Sequence, residues 1–148
     1  MSETSAPLPG SAYGADQTRL TNNPANDASP TWSPDGSRLA VIDRDPNNLR
    51  PVRLTVFSRD GEELLTREVA PFDVTEAPQW IPDHSAVFVQ TYPQHGRRII
   101  VVDIASGQVL DLSRARWDAY FALSPDGKSL LLNNGRGDFW LVEVLRRR

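Results

Sequence analysis

Cysteine is absent from this chain, methionine occurs once and histidine twice. Without cysteine there is no disulfide framework, no thiol nucleophile and no thiolate metal ligand. The two histidines, His84 and His95, stand eleven residues apart with no cysteine partners, which is not a zinc-site spacing. Charge of one sign is also lacking: 16 Lys and Arg against 19 Asp and Glu leave a net charge of −3. Nucleic-acid binding calls for a basic face, so nucleic acid is not an expected partner. No apolar run approaches the roughly 18 residues of a membrane span, so membrane insertion is not expected either. Met1 to Asp16 is small and polar, without the apolar stretch of a secretory signal. It reads as a flexible tail, and 17–148 as one domain. What the chain does have is punctuation. Twelve prolines and nine glycines are spread among short apolar runs, the pattern of an all-β fold with many turns.

One phrase occurs three times. It stands as Pro30-Thr31-Trp32-Ser33-Pro34-Asp35-Gly36 followed by Ser37 to Val41. It returns as Pro78-Gln79-Trp80-Ile81-Pro82-Asp83-His84 and as Phe121-Ala122-Leu123-Ser124-Pro125-Asp126-Gly127, each followed by an apolar run. The prolines Pro34, Pro82 and Pro125 are spaced by 48 and 43 residues, a period that belongs to arrays and propellers. Each phrase predicts a β-hairpin. Proline pre-sets φ at one turn position, aspartate binds its own backbone, and glycine supplies the left-handed closing residue. His84 stands where the other copies have glycine, and histidine accepts that conformation better than most residues.

The spacing predicts strands A (30–33, 78–81, 120–124), B (37–43, 85–91, 128–133), C (53–58, 98–104, 139–144) and D (63–69, 108–113). Four antiparallel strands per repeat make a propeller blade. The continuous runs Ile99 to Val102 and Leu130 to Leu132 suit strands buried on both faces. Gln17 to Thr21 reads as an orphan D strand, so the order is D-ABCD-ABCD-ABC. Three blades are fewer than the four to eight of a closed propeller. Two readings follow: a homodimer closing a six-bladed ring, or a segment of a longer propeller.

The phrase Pro-x-Trp-Ser-Pro-Asp-Gly-x-x-Leu-Ala-Val, with its lead-in Arg19 to Asp27, resembles the TolB-like, or WD-like, β-propeller repeat. The similarity extends over about 17–144 and is strongest in the first copy. Ile81, His84 and Leu123 depart from it. The resemblance implies a mostly non-catalytic scaffold, with periplasmic or other extracytoplasmic work in bacteria. Similar repeats build the propellers of prolyl-oligopeptidase-like and tricorn-like peptidases, where the chemistry sits in a separate domain.

No Gly-x-Ser-x-Gly elbow is present, and no catalytic residue or cofactor site is expected. Asp43 to Asn48 lacks the glycine and the closing acid of an EF-hand and reads as a loop. A weak Ca²⁺ site in a propeller tunnel stays open through the resemblance. Asp35, Asp83 and Asp126, with their prolines and with Gly36, His84 and Gly127, read as turn chemistry. Trp32 and Trp80 read as core between blades. Arg114, Arg116, Trp117 and Tyr120 form the candidate partner contact, because arginine and aromatic residues are enriched at binding hot spots. The expected function is a protein–protein interaction scaffold. The alternatives are the docking portion of a peptidase and a carbohydrate- or small-ligand-binding propeller.

Overall fold

The structure is a computed structural model that describes residues 17, 19–22, 26–45, 47, 51–70, 77–91, 98–112, 121–133 and 137–144. All regular structure among them is β-strand. β1 (Asn26–Trp32), β2 (Arg38–Arg44), β3 (Val52–Ser58) and β4 (Glu63–Ala70) form one antiparallel meander. β5 (Gln79–Trp80), β6 (Ala86–Thr91), β7 (Arg98–Asp103) and β8 (Val109–Asp111) form a second. β9 (Phe121–Leu123), β10 (Ser129–Asn133) and β11 (Phe139–Glu143) form a third, of three strands. These are three propeller blades, and the ring is not closed. No helix among the described residues is long and apolar enough to cross a membrane.

The repeated phrase folds the same way three times. Ser33 N donates to Arg38 O and Gly36 N to Ser33 O, both at 2.8 Å. Ile81 and His84 make the matching pair in the second blade, Ser124 and Gly127 in the third. Gly36, His84 and Gly127 have φ of 71°, 55° and 70°. Histidine therefore holds the left-handed position at a backbone cost of about 1–2 kcal/mol. β1 begins earlier than the phrase predicts. A bulge between Ala28 and Thr31, with Ser29 at φ 54°, continues the ladder back to Asn26. Proline cannot donate to a ladder, and a bulge is where a strand accommodates it; Pro30 sits there.

Strand alternation gives each blade two faces, and the blades stack through them. Ala40, Ile42, Leu54 and Val56 of the first blade pack against Trp80, Val87, Val89, Ile100 and Val102 of the second. Ala86, Phe88 and Ile99 on the other face of the second blade pack against Leu130 and Leu132 of the third, with Phe121 and Leu123. The rings of Phe88 and Phe121 lie 5.8 Å apart across that second layer, tilted by 37°. Two polar contacts pin the first layer. The Trp80 indole N–H donates to Thr31 O at 3.0 Å, and Arg67 Nε donates to Gly107 O at 2.9 Å.

Three expectations change. Trp32 is not core: it is 53% exposed, whereas Trp80 is 8% exposed. Trp80 pairs with Val87 and faces the preceding blade. Trp32 pairs with Leu39 and faces the same way, where no described blade stands. Leu131 is exposed between the buried Leu130 and Leu132, because no blade covers the far face of the third sheet. The described residues of 17–21 are not a strand, since no described strand lies beside them to supply a ladder. Leu20 nevertheless packs against Leu39, Val41 and Phe57. The tail expected over 1–16 lies outside the described residues.

The Trp80 bond yields a direct expectation. Trp80→Phe keeps an aromatic ring in the layer and strips the donor from Thr31 O. Loss of such a bond costs about 1–2 kcal/mol, read as a lower urea midpoint at unchanged slope. An unchanged midpoint would show that the bond does not hold the blades together.

Candidate functional site

The inner ends of β1, β5 and β9, with the turns that follow them, converge on a cleft of about 360 Å³. Thr31, Trp32 and Pro34 come from the first blade, Pro78, Gln79, Trp80 and Pro82 from the second, and Leu123, Ser124 and Pro125 from the third. The three turn prolines thus do more than shape their turns: they form part of one wall. The sequence carried a signal for this. Residues at one repeat position lie on one rim of a propeller, so three matched prolines meet. The third turn also packs on the second, since a Cβ added at Gly127 would lie 2.8 Å from Pro82 Cδ.

Around the cleft the turns carry their aspartates. Asp35 Oδ1 accepts from Ser33 Oγ at 2.7 Å, from Ser37 N at 3.1 Å and from Ser37 Oγ at 2.8 Å. Arg38 N donates back to Ser33 Oγ at 3.0 Å, closing the loop. The third blade repeats this: Asp126 Oδ1 accepts from Ser124 Oγ at 2.5 Å and from Lys128 N at 3.0 Å, and Ser129 N donates to Ser124 Oγ at 2.9 Å. In the second blade Ile81 removes the first hydroxyl, and Asp83 accepts from Ser85 N and Oγ. The Ser33 hydroxyl, then the Ser37 amide and hydroxyl, hold the Asp35 carboxyl far below the ordinary carboxylate range. The Ser124 hydroxyl, then the Lys128 amide, lower Asp126 in the same way. Both aspartates are therefore anionic at neutral pH.

One contact joins two blades at this rim. His84 Nε2 lies 3.6 Å from Asp35 Oδ2. Ser33, Asp35 and His84 are all close, but in the wrong order for a nucleophilic triad. There the histidine stands between serine and acid to take the serine proton. Here the carboxylate stands between hydroxyl and imidazole, so the Ser33 proton has no route to His84. Ser124 Oγ is likewise bonded to its own aspartate.

Other sequence candidates fall elsewhere. Arg114, Arg116, Trp117 and Tyr120 lie outside the described residues, as does His95. Of the acids in the EF-hand-like stretch, the buried Asp43 carboxylate accepts from Arg53 Nη2 at 2.6 Å, and Asp45 accepts from Asn47 N at 3.0 Å. Among the described residues no three His, Asp or Glu side chains gather as metal ligands.

The two depressed carboxyls set a pH dependence. Their stabilisation is fully present above the ordinary aspartate value, near 4, and is lost as pH falls through the lowered folded value. Carbon-detected NMR should find Asp35 and Asp126 still ionised where free aspartate has protonated. Ser33→Ala should move the Asp35 midpoint upward and leave Asp126 in place. Equal, ordinary midpoints would remove the network from the account.

No family model matches the chain. Solved structures do resemble it. TolB from Acinetobacter baumannii superposes with a TM-score of 0.59 at 17% identity, over 88% of this chain and 33% of its own. An oligogalacturonate lyase, solved in complex with manganese, gives 0.61 at 14%, over 86% of this chain and 38% of its own. A prolyl endopeptidase gives 0.53 at 20%, over 82% of this chain and 22% of its own. The chain spans about a third of the TolB structure's length, and the likeness is one of fold: a TolB-like arrangement of propeller blades.

Proposed function

We propose that this chain is a non-catalytic propeller scaffold that docks an extended segment of a partner protein in the cleft at the inner ends of its blades. The observation that supports this is the composition of that cleft. Two tryptophans and four prolines present flat, rigid apolar surface, and Thr31, Gln79 and Ser124 supply polar handles. Aromatic-lined grooves of this kind suit extended, proline-bearing peptides, which lose little entropy on docking. The anionic turns at the rim favour a partner with basic flanks. Extracytoplasmic work is part of the proposal and rests on the likeness to TolB.

A second reading has its own support in the fold likeness to a prolyl endopeptidase. On that reading the same cleft receives peptide for a catalytic domain elsewhere. Both predict that this chain alone does not turn over peptides, because Ser33, Asp35 and His84 are ordered against proton transfer.

An amide-resolved NMR titration tests the proposal. A proline-rich peptide with basic ends should shift the signals of Thr31, Gln79 and Ser124, and a scrambled peptide without proline should not. Movement of these signals by a neutral oligosaccharide alone would instead make the cleft a carbohydrate site. Turnover of a peptide substrate by the purified chain, abolished by Ser33→Ala, would sink the non-catalytic reading.

A further inference from the structure

Within the chain the same junction is built twice, each time with a fixed direction. A blade offers its strand-A residue, Trp80 in the second blade and Leu123 in the third, and the matching positions of strands B and C to its predecessor, and receives the next blade on its other face. In the first junction Trp80, Val87, Val89 and Val102 meet the face that carries Ala40, Ile42, Leu54 and Val56. The repeat register identifies the two faces left over. On the first blade they are Trp32, Leu39, Val41 and Phe57, at the positions of Trp80, Val87, Val89 and Val102; Trp32 is exposed, and the other three are buried, with Leu20 packed on them. On the third blade they are Leu131, Asn133, Phe139 and Leu141, at the positions of Ala40, Ile42, Leu54 and Val56, with the polar Asn133 in the place of Ile42. Val56 is fully buried, whereas Leu141 is 73% exposed. The two leftover faces are the two halves of one further junction.

The backbone repeats the complementarity. In the first two blades strand C pairs on its outer side with strand D, β3 with β4 and β7 with β8. In the third, β11 is the edge of its sheet. Val69 of β4 packs in the same cluster as Val87, Val89 and Val102 of the next blade. Leu20 packs on Leu39, Val41 and Phe57, which are the same three positions one blade earlier. The segment around Leu20 thus occupies the D-strand place of a blade that would precede the first.

We propose that a second copy of this chain supplies that blade. β11 of the partner adds the Leu20 segment to its open edge, the partner's Leu131 and Leu141 pack beside the exposed Trp32 and the cluster already closed by Leu20 over Leu39, Val41 and Phe57, and the Trp32 indole donates to the carbonyl of the partner's Ala122. Ala122 is the third-blade counterpart of Thr31, which accepts from Trp80. The surface is continuous with the two junctions already formed and uses their chemistry. Two copies make this contact twice about a two-fold axis and close six blades, within the range of closed propellers.

Light scattering on the full chain over a wide concentration range tests this. The expected mass is twice the 16.5 kDa of one chain. Leu141→Glu should return it to a single copy with its strand circular dichroism intact, since Leu141 is exposed in the isolated chain. In the unaltered protein, the amides of 19–22 and β11 should gain exchange protection as concentration rises, while those of β6 should not change. A single-copy mass at every concentration would overturn the proposal and leave the two faces to other blades. So would a mass that grows past two copies, or a pair that survives Leu141→Glu.

Discussion

Every sheet in this fold has two apolar faces, and each has to be covered. An apolar surface left in water forfeits roughly 25 cal/mol for each Å². A blade cannot cover itself, because its strands alternate and its own side chains leave in both directions. The second blade shows the requirement met. All six residues of β6 are buried, Val87 and Val89 against the first blade and Ala86 and Phe88 against the third. The outer blades show it half met. Their inward faces hold the buried core, whereas Trp32 on the outward side of the first and Leu131, Phe139 and Leu141 on that of the third are exposed.

This constraint ties the cleft to the core. Strand A of each blade ends on the inner rim, and its last side chains are shared between the layer and the cleft. Trp80 closes the first layer with its indole while its ring edges the cleft wall. Pro82 shapes its turn, packs near Gly127 and lines the same wall. A change at either position therefore acts on stability and on the cleft together, and binding measurements on such variants need unfolding curves beside them.

Much of the architecture was legible because it rests on local rules. The Pro-Asp-Gly turns, the left-handed seat of His84 and the four-strand unit all follow from short-range chemistry. Strands lined up within a residue or two, except β1, where the bulge at Ser29 to Pro30 adds a stretch that no periodicity announces. The misreadings share one cause. The repeat positions of Trp32, Leu131 and the segment around Leu20 predict burial or strand, but their states depend on a neighbouring blade. Sequence gives a residue's face; it does not say whether that face is occupied. The cleft was missed for a related reason. Each Pro-Asp phrase was sufficiently explained by its own turn, so the convergence of three turns on one rim went unread. The cluster at Arg114 to Tyr120 lies outside the described residues.

The acceptor for Trp80 is a main-chain carbonyl, that of Thr31. A carbonyl is present whatever side chain stands on that residue, and the three matched positions in fact carry Thr31, Gln79 and Ala122. The first junction therefore asks for a donor on one side and only for backbone on the other, and the second, with Leu123 in the place of Trp80, is joined by apolar packing. Half of the first junction's polar chemistry is invisible to substitution. A fold joined in this way can drift far in sequence while its blades continue to fit. That latitude agrees with structural likeness at 14 to 20% identity where no family model matches.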